Sequence, residues 1–107
     1  MRRKGSKSLR TLAGLAYQRE LDEALAHLKL KYAEWEAGRI DCFQLTAEIH
    51  GFHNGIARDL WKRYSDGDAR FAVGFAVAKG VLKEEEVPSK VLDDLADIIA
   101  HEKKESG

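Results

Sequence analysis

Residues 21–45 read LDEALAHLKLKYAEWEAGRIDCFQL, and this stretch decides the fold. Leu21, Leu25, Leu28, Tyr32 and Trp35 recur at steps of four, three, four and three. That is the spacing of an apolar stripe on a helix packed against another helix. Arg19, Glu20, Glu23, His27, Lys31 and Glu34 fall off the stripe. Gly38 reads as the residue just past the helix end, because it takes the left-handed conformation without a Cβ clash. A new helix then starts at once. The Asp41 side chain accepts from the backbone amide of Gln44, and the Gln44 side chain reaches back to the amide of Asp41. Ile40 and Leu45 flank this capping box at the spacing of a hydrophobic staple.

Working outward, the first helix begins near Ser8, carries Leu9 and Leu12, and runs to about Ala37. Gly14 is its weak point. At 1.5 Å per residue it spans ~45 Å, longer than a chain of this size covers with a radius of gyration of ~13 Å. The second helix continues to Tyr64 on a stripe of Leu45, Ile49, Phe52, Ile56 and Leu60. Ser65-Asp66-Gly67-Asp68 ends it as a polar turn. A third helix from Ala69 to Lys79 carries Phe71, Ala72, Val73, Phe75, Ala76, Val77 and Ala78, which leave almost no polar face, so it is expected to be buried. Gly80 stops it. A fourth opens near Pro88, whose fixed φ suits a first turn, and presents Val91, Leu92, Leu95, Ile98 and Ile99. The expected fold is all-α, an antiparallel bundle of about four helices with the first long and the third buried. Residues 1–7 are expected to be a basic flexible arm and 8–107 one helical domain.

Composition agrees. The 107 residues are 44% hydrophobic and 34% charged, with a formal net charge of zero. The chain is too apolar to be disordered throughout, and no run approaches the ~20 apolar residues of a membrane span. A lone cysteine, Cys42, excludes an internal disulfide framework. The basic start lacks a signal-peptide core, so a cytoplasmic bacterial protein is the default expectation. The zero balance hides an asymmetry. The first ten residues hold Arg2, Arg3, Lys4, Lys7 and Arg10 with no acid, whereas Glu84 to Glu105 hold eight acids against three bases. Opposite ends attract within the fold or between subunits, or the arm meets an anionic partner.

Few residues carry chemistry. His50 and His53 sit three apart on the second helix, as metal ligands often do, but a site needs two more ligands. His27, Asp59, Asp66 and Asp68 form no recognised spacing with them, so two boundary histidines are the expectation and neither a metal nor any other cofactor is expected. Cys42 at a helix N-terminus has the place of an activated thiol without an orienting partner. No catalytic residue is assigned. Arg58, Lys62, Arg63 and Arg70, with the N-terminal arm and the rings of Trp61 and Tyr64, outline a phosphate-binding surface. A balanced net charge and an apolar third helix argue against nucleic acid.

The second helix also carries Phe43, Ala57 and Trp61 on a side away from its stripe, and Ala47, Gly51 and Gly55 on the remaining face. Aromatic side chains dominate interface anchors. The helix is either the central one, covered on two sides within one subunit, or it exposes this side to a partner. On the second reading Phe43 and Trp61 are the candidate anchors of a homodimer or another protein contact, with Leu12 and Leu15 from an overhanging start of the first helix as the alternative. The function expected from this is a non-catalytic interaction or accessory protein that self-associates by helix packing. Nucleic-acid association through the basic residues is the alternative, and a metal enzyme built on His50 and His53 comes third.

Overall fold

A computed structural model describes residues 8–106, with Asp66 and Ser106 described by their backbone alone. The expected basic arm, Met1 to Lys7, lies outside the described residues. The described chain is helical with no strand: α1 (Leu9–Glu36), α2 (Cys42–Phe52), a π-helical turn (His53–Ala57), α3 (Arg58–Trp61), a second π turn (Lys62–Asp66), α4 (Ala69–Ala78), a 3₁₀ turn (Glu84–Glu86), α5 (Ser89–Asp94) and α6 (Ala96–Ser106).

The local signals act where the residues place them. The Ser8 hydroxyl caps α1 by accepting from the Thr11 amide at 3.1 Å. α1 passes through Gly14 unbroken. After it, Gly38 has φ +78°, and the Arg39 and Gly38 amides donate back to the Glu34 and Trp35 carbonyls at 2.8 and 3.0 Å. Gly80, at φ +81°, closes α4 in the same way, with Val81 and Gly80 donating to Ala76 and Val77. This double bond pattern satisfies carbonyls that a helix end otherwise leaves open. The capping box at Asp41 forms in both directions, at 2.8 and 2.9 Å. Pro88 takes the cap position before α5 in place of its first turn. The expected fourth helix is two pieces, because Leu95 leaves the helical region at φ −101°, ψ 8°.

The second rod departs from a straight helix twice. Each π turn takes one extra residue, so everything downstream lags by about 100° of rotation. In an uninterrupted helix Tyr64 would lie about 100° away from Leu45. The first π turn removes that offset, and Leu45, Leu60 and Tyr64 are all buried while Ile56 between them is exposed.

The core sits at one end of the molecule. Leu12, Ala13 and Ala16 of α1 meet Leu60, Tyr64, four residues of α4, and Leu82, Val87 and Leu95. Ala72, Val73, Gly74, Ala76 and Val77 of α4 are buried, yet Phe71 on the same helix is exposed. α4 meets α6 at Gly74, where a Cβ would stand 2.4 Å from Cγ2 of Ile98. Arg19 ties α1 to the connection after α4. Its guanidinium donates to both carboxylate oxygens of Glu86 at 2.8 and 2.6 Å and to the Val81 carbonyl at 2.8 Å. The forked geometry suits arginine alone.

Beyond Leu21 no α1 residue is fully buried. The distal half of α1 and the facing part of α2 form a two-helix arm. The radius of gyration is 17.0 Å with a longest extent of 52 Å, against ~13 Å for a compact chain of this length. The expectation that the start of the first helix overhangs is thereby reversed. Leu12 is fully buried and Leu15 packs against the core, so it is the far half that projects.

The α4–α6 crossing supplies a test. Alanine is the better helix former by ~1 kcal/mol, but at Gly74 its methyl would overlap a β-branched side chain with little rotamer freedom. Gly74→Ala is expected to lower unfolding stability by about 1–3 kcal/mol, read as a lower urea midpoint. An unchanged or raised midpoint would show that the two helices separate without cost.

Candidate functional site

Where the arm leaves the core, a cluster of side chains holds α1, the second π turn and α4 together. The rings of Tyr17 and Tyr64 stack with centroids 5.6 Å apart and planes 16° from parallel. The Tyr64 hydroxyl donates to the Glu20 carboxylate. The Arg63 guanidinium lies 4.1 Å from the centroid of the Phe75 ring and 3.7 Å from the same carboxylate. Burial, reinforced by the hydrogen bond to Glu20, holds the Tyr64 phenol well above its ordinary value. Arg63 therefore serves this junction. Arg70, another member of the expected cation cluster, forks onto Asp68 at 3.0 Å, and that bond holds the Asp68 carboxyl below its usual range. Arg58, Lys62 and Arg10 are exposed, and the other predicted cations, Arg2, Arg3, Lys4 and Lys7, lie outside the described residues. Of the four predicted cations, Arg63 and Arg70 are thus engaged with acids, and Arg58 and Lys62 are exposed.

Two clefts flank the α2–α3 rod. The larger, about 550 Å³, runs between α1 and α2. Its sides are Glu20, Glu23, His27, Lys31 and Glu48, and its apolar floor includes Ala24, Phe52 and Gly51. Nothing lies within 4 Å of where a Cβ on Gly51 or Gly55 would stand. Gly51 and Gly55 of the small-residue row read from the sequence therefore meet no other helix among the described residues. The smaller cleft, about 350 Å³, opens at the first π turn and is lined by Tyr17, His53, Asn54, Ala57, Arg58 and Trp61.

His50 is exposed and His53 lines the smaller cleft. Among the described residues no three His, Cys, Asp or Glu side chains are placed to hold a metal ion together. Cys42 is free and exposed at the start of α2. Phe43 is 80% exposed and Trp61 51%. Leu25, Leu30, Tyr32, Trp35 and Ile56 are exposed as well. Of the apolar stripe that opened the sequence reading, Leu21 and Leu28 are half-buried and the other three members face solvent.

Several contributors escape a sequence reading. The Arg19–Glu86 fork joins residues 67 apart, and no local pattern announces it. The π turns have no composition of their own. Gly74 did carry a signal: a glycine inside a helix with almost no polar face points to a packing reason. Comparison with protein-family models, curated proteins and solved structures finds no match. Among the described residues no helix is long and apolar enough to cross a membrane.

The tyrosine junction predicts a pH dependence. The folded state holds the Tyr64 proton more tightly than the unfolded chain, whose phenol has a pKa near the ordinary 10.0. The stabilisation is therefore complete below pH ~10 and is lost as pH rises toward the elevated folded value. Tyr64→Phe is expected to cost about 1 kcal/mol at pH 7 and to flatten the alkaline limb of the stability profile. Equal slopes for the two proteins above pH ~10 would break the assignment.

Proposed function

We propose that this chain is a non-catalytic helical interaction protein that self-associates through the α1–α2 arm. The observation that carries the reading is the run of large apolar side chains exposed on that arm: Leu25, Leu30, Tyr32, Trp35, Phe43 and Ile56. Single exposed apolar residues are ordinary on any surface. Several of them gathered on one two-helix arm support the reading of a contact surface. Fully burying one such side chain is worth about 1.5–3 kcal/mol, and an arm two helices wide has no third helix of its own to do so.

A second copy is the favoured occupant. Two-fold dimers are the commonest assembly, and two α1–α2 hairpins placed face to face make a four-helix layer of the kind that knobs-into-holes packing stabilises. On this reading the antiparallel bundle expected from the sequence is completed between protomers, with α4 as the buried helix within each. Phe43 and the distal stripe supply the knobs. The cleft floored by Gly51 supplies a hole. A cytoplasmic setting is part of the same proposal.

Sedimentation equilibrium at micromolar concentration is expected to give the mass of a dimer. Phe43→Ala is expected to weaken the association by more than ~1 kcal/mol. Gly51→Ala separates the two roles of the glycine. It should stabilise the dilute monomer by up to ~1 kcal/mol, since its methyl meets open space and alanine favours helix, while raising the dimer dissociation constant by filling the hole. A monomer mass at every concentration would end the proposal.

A further inference from the structure

The smaller cleft differs from its surroundings in three ways, none of which self-association requires. First, the π turn assembles it. In an ordinary α-helix the directions of His53 and Arg58, five residues apart, diverge by about 140°. A π turn closes residue i onto i+5, and here both side chains line one cleft with Tyr17 of α1 across from them. Such turns occur frequently at functional sites. Secondly, it contains no acid. The chain has 18 Asp and Glu residues, and the neighbouring cleft is edged by Glu20, Glu23 and Glu48. The residues here are a guanidinium, an imidazole, a carboxamide, a methyl group and two aromatic rings. Thirdly, Trp61 is half exposed in a chain that buries Leu60 and Tyr64 on either side of it.

We propose that the cleft formed by Tyr17, His53, Asn54, Arg58 and Trp61 binds a small planar aromatic carboxylate. Arg58 presents the donor fork that matches a carboxylate. The Asn54 amide and the His53 ring nitrogens supply further donors beside it. Trp61 and Tyr17 offer ring faces to the aromatic body. A volume of about 350 Å³ lies at the low end for small-molecule sites and accommodates one or two fused rings. The cleft uses none of Leu25, Leu30, Tyr32, Trp35, Phe43 and Ile56, on which the self-association reading rests.

The experiment is a titration of ¹⁵N-labelled full-length protein with indole-3-carboxylate, followed by amide and indole N–H signals. Indole-3-carboxamide and inorganic phosphate are the comparison probes. The expected result is saturable shifts confined to residues 53–58, Tyr17 and the Trp61 indole, with a dissociation constant of ~1 mM or below. The carboxamide and phosphate should each bind at least tenfold more weakly. Arg58→Gln, at an exposed position where the fold has little at stake, should weaken the carboxylate at least tenfold with an unchanged circular dichroism spectrum. Trp61→Leu should do the same while leaving any phosphate response as it was. No saturable shift, equal binding of the carboxamide, equal binding of phosphate, or undiminished binding to Arg58→Gln would each overturn the proposal. None of these outcomes bears on the dimer mass.

Discussion

The length of α1 governs the rest of the molecule. Twenty-eight residues of helix extend ~42 Å at 1.5 Å per residue, and the remaining chain is too short to enclose such a rod. Its first turns bury Leu12, Ala13 and Ala16 in the core, while the last turns lean on α2 alone. Uneven burial along one rigid element divides the molecule into a packed end and an open arm. The junction between them is where Tyr17, Glu20, Arg63, Tyr64 and Phe75 converge. Arg19 and Glu86 lock the same region of α1 to the connection after α4.

The two π turns are the second determinant. A straight second helix would turn Tyr64 away from α1, and the junction would lose both its stacked ring and its hydrogen bond to Glu20. By holding back the rotation, the first π turn keeps Leu60 and Tyr64 on the core side and at the same time sets His53 and Arg58 along one cleft. An extra residue in a helix breaks its regular bonding, so it persists only where the surrounding packing repays the distortion. Here the fully buried Leu60 and the nearly buried Tyr64 do so. The proposed ligand cleft is a consequence of the same distortion that builds the core.

The capping box of Asp41 and Gln44, the glycine stops at 38 and 80, and the helical nature of the chain were legible before any coordinates. Each depends on residues within a few positions of one another, so local bonding and backbone sterics settle them. The sequence alone allows two readings of the side that carries Phe43 and Trp61, internal cover or exposure to a partner. Both are exposed, Phe43 at 80% and Trp61 at 51%. Leu12 was placed at an overhang and is instead in the core. The stripe pattern says that a face is apolar; it does not say which stretch of a long helix receives a partner.

Periodicity and caps therefore determined where helices begin, which of their faces are apolar, and that the first is too long for its domain. Three-dimensional packing decided which end of α1 is enclosed, which cations are engaged, and how far the second rod is underwound by its extra residues. The physical reason is range. Hydrogen bonds at helix ends and amphipathic spacing act between neighbours in the chain. The Arg19–Glu86 fork, the Tyr64–Glu20 bond and the Gly74–Ile98 approach join residues 67, 44 and 24 apart. Such contacts exist only once the helices have docked, and they are what turn four apolar patterns into one core with an arm.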